Sequence, residues 1–416
     1  MFSKGKRILA LTLALVLAFV LAACGGAAAS SQAPATGASQ QPAAEGDVFK
    51  IGNFYPLSGP VAAFGIEGRN SIEMAIEMIN EEGGFNGVPV EYVVYDCQSP
   101  TDAVSIVNRM IEDDEINALV TSMMSSEILV IGELVNNNKI VTLSGGTSPT
   151  YMKEGWEYMF RPAMNTDVAM VLNAEMAKEV GVKRVALFNA QDDSSVASAD
   201  AFADECKSRG IEVVAHEGHA PGDTDFSAQI ANIIGSNPDA VFFACMGDAS
   251  INFVKQLRQL GYKGIVMDNE AFADYMIDVV GVESSDYIMF TNPYVTYRDA
   301  EDAKDIPTMY NFLKLYEARW GELPATEISY QAWDCITSLW EAAKLAGSND
   351  SESLLAAMNK LSFDGLGGRL DFTSGTGEGY ETFNRFVLVD GKNVLFDTWL
   401  AEGGLEAFKE STGIEF

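Results

Sequence analysis

Basic side chains are scarce in this sequence. Its 416 residues hold 27 Lys and Arg against 59 Asp and Glu, a formal net charge of −32 at pH 7. Nucleic acid and anionic lipid surfaces are bound through positive charge and counterion release, so both are poor partners for this chain. The acid is dispersed, with Asp113-Asp114-Glu115 as a short run, and reads as surface repulsion that favours solubility. Histidine is scarcer still. His216 and His219 are the only two, and no cysteine falls in register with them, so no metal is expected. The five cysteines form no C-x-x-C pair, which argues against a zinc or redox motif and for scattered free thiols. No G-x-S-x-G, G-x-x-x-x-G-K-[ST] or H-E-x-x-H segment occurs; the chain is not expected to be an enzyme or to carry a cofactor. No apolar run reaches the roughly twenty residues that a membrane span needs.

The longest apolar run is N-terminal. Lys4, Lys6 and Arg7 precede a nearly unbroken apolar stretch over 8–22, which ends in Leu21-Ala22-Ala23-Cys24. This is the layout of an export signal. The last four residues resemble the bacterial lipobox, in which the cysteine is lipidated and becomes the mature N-terminus; the alternative is an ordinary secretory signal that contains a cysteine. The expectation is a signal peptide over 1–23 and lipidation of Cys24, with several acyl chains giving stable anchoring. Residues 24–47 are rich in Ala, Ser, Gln, Pro and Gly and hold no aromatic residue. Such a segment buries too little apolar surface to offset ordering entropy, and as a tether it would span roughly 25 Å.

Beyond residue 48 the chain is a different material. At 48% hydrophobic and 21% charged overall, it can build sizeable cores. Strand candidates at 49–55, 91–95, 118–123 and 140–143 alternate with helical patterns, such as Ile72, Ala75, Ile76 and Ile79 at i, i+3, i+4, i+7. A second series places strands at 184–188, 212–215, 240–245, 264–267 and 287–290, with helices at 198–209, 226–236 and 250–260. Gly181, Gly210 and Gly261 follow helical runs as C-caps do. This alternation predicts parallel sheets covered by helices on both faces. After Pro293 come helices over 307–320, 329–346 and 351–361, then antiparallel strands over 368–400 with turns at 373–379 and Asp390-Gly391.

Ligands of open α/β sheets sit beyond the carboxyl ends of strands. There, helix N-termini offer free N–H groups to an anion. Three such places carry hydroxyl and glycine residues: Leu57-Ser58-Gly59-Pro60, Ser125-Ser126, and Ser144-Gly145-Gly146-Thr147-Ser148. Converging, they would form a carboxylate cradle; singly, each also reads as an ordinary turn and N-cap.

Several segments together carry a resemblance. Ile51-Gly52-Asn53-Phe54-Tyr55-Pro56-Leu57-Ser58-Gly59-Pro60, Phe64-Gly65, Gly83-Gly84-Phe85-Asn86-Gly87 and Tyr95-Asp96 resemble the opening of the branched-chain amino acid binding proteins, of the type I periplasmic binding protein class. The resemblance implies two doubly wound α/β lobes joined by a hinge of about three crossovers. Lobe 1 would be 48–164 plus 295–372, and lobe 2 would be 165–294 plus 373–416. It implies a carboxylate held by Ser125, Gly145 and Thr147, an ammonium met by Glu270, and Phe64 in the place of a ligand-contacting aromatic. Ser194 and Met246 stand near positions where the family often has aromatics, which puts a branched aliphatic ligand in doubt. Cys97 has no cysteine partner near Met124, so the disulfide of some relatives is not expected.

The function so implied is capture of a small solute, an amino acid, by hinge closure, and its presentation to an ABC permease and ATPase from the outer face of the cell membrane. Two alternatives remain: a binding protein for an amide, urea-like or aromatic-acid solute, or a ligand-sensing module for a signalling receptor.

Overall fold

The computed structural model describes residues 48–294, 296–380 and 383–414. The expected signal peptide, Cys24 and the tether lie outside them. The chain begins β1 (Phe49–Tyr55), α1 (Ala62–Glu81), β2 (Val90–Asp96), α2 (Pro100–Glu112), β3 (Ala118–Val120), α3 (Ser125–Asn137), β4 (Val141–Leu143) and β5 (Met159–Phe160). These five strands form one parallel sheet in the order β2-β1-β3-β4-β5.

The second series follows as α4 (Thr166–Val180), β6 (Arg184–Ala190), α5 (Asp193–Ser208), β7 (Glu212–His219), α6 (Ser227–Gly235), β8 (Ala240–Ala244), α7 (Asp248–Gln259), β9 (Ile265–Asp268), α8 (Asp274–Val280), α9 (Val282–Ser285) and β10 (Ile288–Asn292). Helices α10 (Pro307–Trp320), α11 (Ile328–Ala346) and α12 (Ser351–Met358) return to the first lobe, where α11 packs along α1. Then come β11 (Ser362–Gly365), β12 (Gly368–Asp371), β13 (Asn384–Val389), β14 (Lys392–Leu395), α13 (Phe396–Ala401) and α14 (Gly404–Thr412). The second sheet runs β14-β13-β10-β9-β8-β6-β7. It is parallel except where β13 and β14 close its edge as an antiparallel hairpin.

Residue type explains the pattern. Strands β8 (Ala-Val-Phe-Phe-Ala) and β9 (Ile-Val-Met-Asp) are buried along their whole length, as strands covered by helices on both faces must be. Gly181 closes α4 in the left-handed region, with φ of 98°, which costs a glycine no Cβ clash. Asp390 and Gly391 both take positive φ and turn β13 into β14 as a two-residue hairpin does.

The tail differs from expectation. Strand β12 leaves the main sheets to pair with β11. Residues 396–401 are helical, because Phe396 and Trp399, three apart, both reach the lobe-2 core. All four described cysteines are buried and free, as their spacing suggested.

Three crossings join the lobes, after β5, after β10 and after β12, and one carboxylate gathers them. The Asp334 Oδ2 atom of α11 accepts from the Tyr380 hydroxyl at 2.6 Å and lies 3.3 Å from that of Tyr294. The Tyr294 hydroxyl is also 3.1 Å from the Pro162 carbonyl. The backbone N–H of Leu366 donates to Asp334 Oδ1 at 2.9 Å. Burial pushes the Asp334 carboxyl up to about 6, against these hydrogen bonds. Replacing Asp334 with Ala leaves several buried donors without an acceptor. Asp334→Ala should therefore lower unfolding stability by about 3 kcal/mol; an unchanged denaturant midpoint would show that the cluster is not holding the crossovers.

Candidate functional site

The carboxyl ends of the two sheets face each other, and the loops beyond them meet. Thr147, from the loop after β4, makes the junction. Its hydroxyl lies 2.8 Å from the Ser194 hydroxyl at the start of α5 and donates to Glu270 Oε1, after β9, at 3.1 Å. Gaps open on either side of this bridge. One is lined by Met123, Gly145, Thr147, Met246, Glu270 and Glu327 among others. The other is lined by Ser125, Asp192, Ser194, Met246 and Glu270 among others.

The donor side is built from lobe 1. Ser125 opens α3, whose first-turn N–H groups have no acceptor within the helix. The following loop is held from behind by Arg161, whose side chain is 0% exposed. Arg161 Nη1 lies 2.8 Å from the Ser148 carbonyl, 3.0 Å from that of Thr147 and 3.4 Å from that of Gly146. Across a planar trans peptide the C=O and N–H point in opposite directions. The N–H groups of Thr147 and Ser148 are therefore turned away from the guanidinium, and Ser148 donates to Ser125 Oγ at 3.2 Å. Gly146 is required here. A Cβ on it would stand 2.6 Å from Ile128 Cδ1 and 2.8 Å from Ser125 Oγ.

The acceptor side is charged. Burial lifts the Glu270 carboxyl to about 7; the Thr147 hydrogen bond opposes this and the charge of Asp192 adds to it. Burial, and then the charge of Glu270, lifts Glu327 to about 8. Asp268 is also pushed well above the usual carboxylate range by burial. No Lys, Arg or His lines either gap. The arrangement offers hydroxyls and a helix N-terminus to an anion, and carboxylates to a cation, a few ångströms apart.

Of the residues singled out from sequence, Ser125, Gly145, Thr147, Ser194, Met246 and Glu270 all line these gaps. Phe64 does not. It belongs to the first turn of α1, which starts earlier than its apolar spacing suggests, and it packs edge-on against Tyr275 of α8, 6.0 Å between ring centres. It closes the rim between the lobes instead of touching the gaps. His216 bonds to Asn189 Oδ1 at 2.7 Å and His219 stacks on Phe188, and among the described residues no group of ligating side chains is arranged for a metal.

The profile of the family described as periplasmic binding protein matches residues 48–392. The chain belongs to that family. This periplasmic binding protein is similar to proteins named for branched-chain amino acids. It is 26% identical over 309 residues to a Leu/Ile/Val-binding protein homolog of Brucella melitensis, covering 74% of this chain and 81% of that one. A leucine-binding protein from Thermotoga maritima superposes with a TM-score of 0.75 at 25% identity, covering 84% of this chain and 97% of that one. A solute-binding protein of an ABC transporter from R. palustris, in complex with 4-hydroxybenzoate, has the same fold, with a TM-score of 0.75 at 21% identity over 84% of this chain and 95% of that one. Members of the family are solute-binding proteins of ABC transporters, not enzymes. Among the described residues, no helix of this periplasmic binding protein is long and apolar enough to cross a membrane.

Three residues that shape the site were missed in the sequence: Arg161, Glu327 and Gln331. Glu327 is the N-cap of α11, and Gln331, one turn on, donates through Nε2 to the Gly145 carbonyl at 3.1 Å. Arg161 depends on Glu378, which it grips with Nε at 2.8 Å and Nη2 at 2.5 Å. Glu378→Ala strands a buried guanidinium, a change that costs about 3 kcal/mol. The expected outcome is a lowered melting temperature with increased amide exchange across 146–148; protection there equal to wild type would show that Arg161 does not order the loop.

Proposed function

We propose that this protein captures an α-amino acid, of the branched-chain type or similar, between its two lobes and delivers it to an ABC importer. The reading rests on the Thr147 hydroxyl, which bonds to both Ser194 and Glu270 beside the α3 N-terminus. A zwitterion matches that pattern. Its carboxylate takes the Ser125 and Thr147 hydroxyls at the N-terminus of α3, beside Gly145, and its ammonium takes Glu270. Each buried charge then has a partner, without which its burial is costly. Met246 and Ser194 border the side-chain space. A ligand in contact with both walls stabilises the closed arrangement by the contacts it makes only there. Residues 48–164 with 295–372 would move as one lobe against 165–294 with 373–416. Lipidation of Cys24 would tether the body to the outer face of the cell membrane, and a permease with its ATPase would read the closed surface.

Calorimetry of the body from residue 48 onward against the common amino acids tests the reading, with 4-hydroxybenzoate and short amides as the competing class. Glu270→Gln should weaken amino acid binding about tenfold, the scale of one charge-assisted hydrogen bond. Equal affinity would remove Glu270 from the ammonium site. Binding should also depend on pH. An ammonium favours ionised Glu270, whose carboxyl stands at about 7 with Asp192 beside it. Affinity should therefore rise between about pH 6 and pH 8, and a flat profile would contradict the pairing.

A further inference from the structure

The gap beside Thr147 holds more acceptors than an α-amino acid head group can use. Glu327 is 5% exposed and its Oε2 has no hydrogen-bond partner. Gln331 is 3% exposed, and its Oε1 is likewise without a donor. The orientation of Gln331 is set, because a carbonyl only accepts: its Nε2 is committed to Gly145 O at 3.1 Å, which leaves Oε1 as the free end. Both residues line the same gap as Glu270.

Glu327 is also held in place. Glu67 of α1 accepts from the N–H of Ala325 at 3.0 Å, the N–H of Thr326 at 2.9 Å, and the Thr326 and Ser329 hydroxyls at 2.7 Å and 3.0 Å. That clamp encloses residue 327 on both sides. Around it the wall is Met123, Met164, Met246 and Ile328, and unbranched methionines adapt to a long alkyl chain.

Resting on the amino acid reading above, we propose that the ligand is a basic amino acid, whose side chain ends in an amine or guanidinium donating to Glu327 and to Gln331 Oε1. Once Glu327 ionises, its charge has no partner left from an ammonium already paired with Glu270; a second cationic group on the ligand supplies one. The raised position of Glu327, at about 8, is the response expected of an acid with no cation beside it. Glu270 would then serve the α-ammonium and Glu327 the distal group.

Lysine and norleucine share a chain length and differ by the terminal amine, so calorimetry with the two isolates the proposed contact without any variant. Lysine, ornithine or arginine should bind at least roughly tenfold tighter than norleucine. Glu327→Gln should erase that preference, lowering lysine affinity about tenfold more than norleucine affinity. If norleucine or leucine binds as tightly as lysine, or if Glu327→Gln weakens both ligands equally, the basic side chain is ruled out while the amino acid reading stands. If no amino acid binds and 4-hydroxybenzoate does, the amino acid reading itself falls, and this inference with it.

Discussion

Arg161 is a full charge with no exposed surface, and much of the molecule is arranged around keeping it satisfied. Glu378 meets it with two oxygens, three successive carbonyls accept from Nη1, and its guanidinium carbon lies 5.4 Å from the centre of the Tyr151 ring. Arg161 begins the first crossing between lobes and Glu378 lies on the third. The backbone pairs there too, Arg161 N–H to Gly377 O at 2.7 Å and Gly379 N–H to Arg161 O at 3.0 Å. One ion pair thus ties the hinge to the loop that carries Thr147. Its low-dielectric setting makes the pair worth little over an apolar substitute, yet makes loss of either member severe. The role of such a pair is to specify geometry, here the direction in which the N–H groups of the loop face.

The two walls differ in the groups they bring. Lobe 1 contributes backbone amides and hydroxyls, which are uncharged and cost little to bury while they find partners in one another. Lobe 1 also contributes one acid, Glu327 at the start of α11, and lobe 2 contributes Glu270 and the Ser194 hydroxyl. Because the acids are lifted toward neutrality by burial, the cleft does not carry its full formal charge at neutral pH. A cation entering would draw protons off them.

Most of the α/β framework could be read in the residues. Apolar runs such as Ala240–Ala244, bounded by helices with i, i+3, i+4 spacing, carry a strong periodic signal. Ser125 and Thr147 were singled out for a topological reason, since they follow strands of a parallel sheet and such strand ends converge; Glu270 was singled out by the family resemblance. Glu327 and Gln331 follow no strand. They reach the gap because α11 packs along α1, a contact between segments far apart in sequence that no local pattern encodes. Phe64 was misplaced by a boundary effect. Val61, which caps α1 without any side-chain hydrogen bond, gives no start signal, so the helix was expected to begin later and Phe64 to lie in a loop. The helix at Phe396–Ala401 was hidden by the strands before it.

The four sulfhydryls of the body have a practical bearing. Burial raises Cys97 and Cys206 to about 12, and Cys245 and Cys335 further still. Thiolate is the reactive form, so none of the four is poised for alkylation or oxidation while the fold is intact. A fluorophore attached through one cysteine placed on the rim of either lobe would be the sole label on the folded body, and its emission would follow the jaws without any native residue having to be removed.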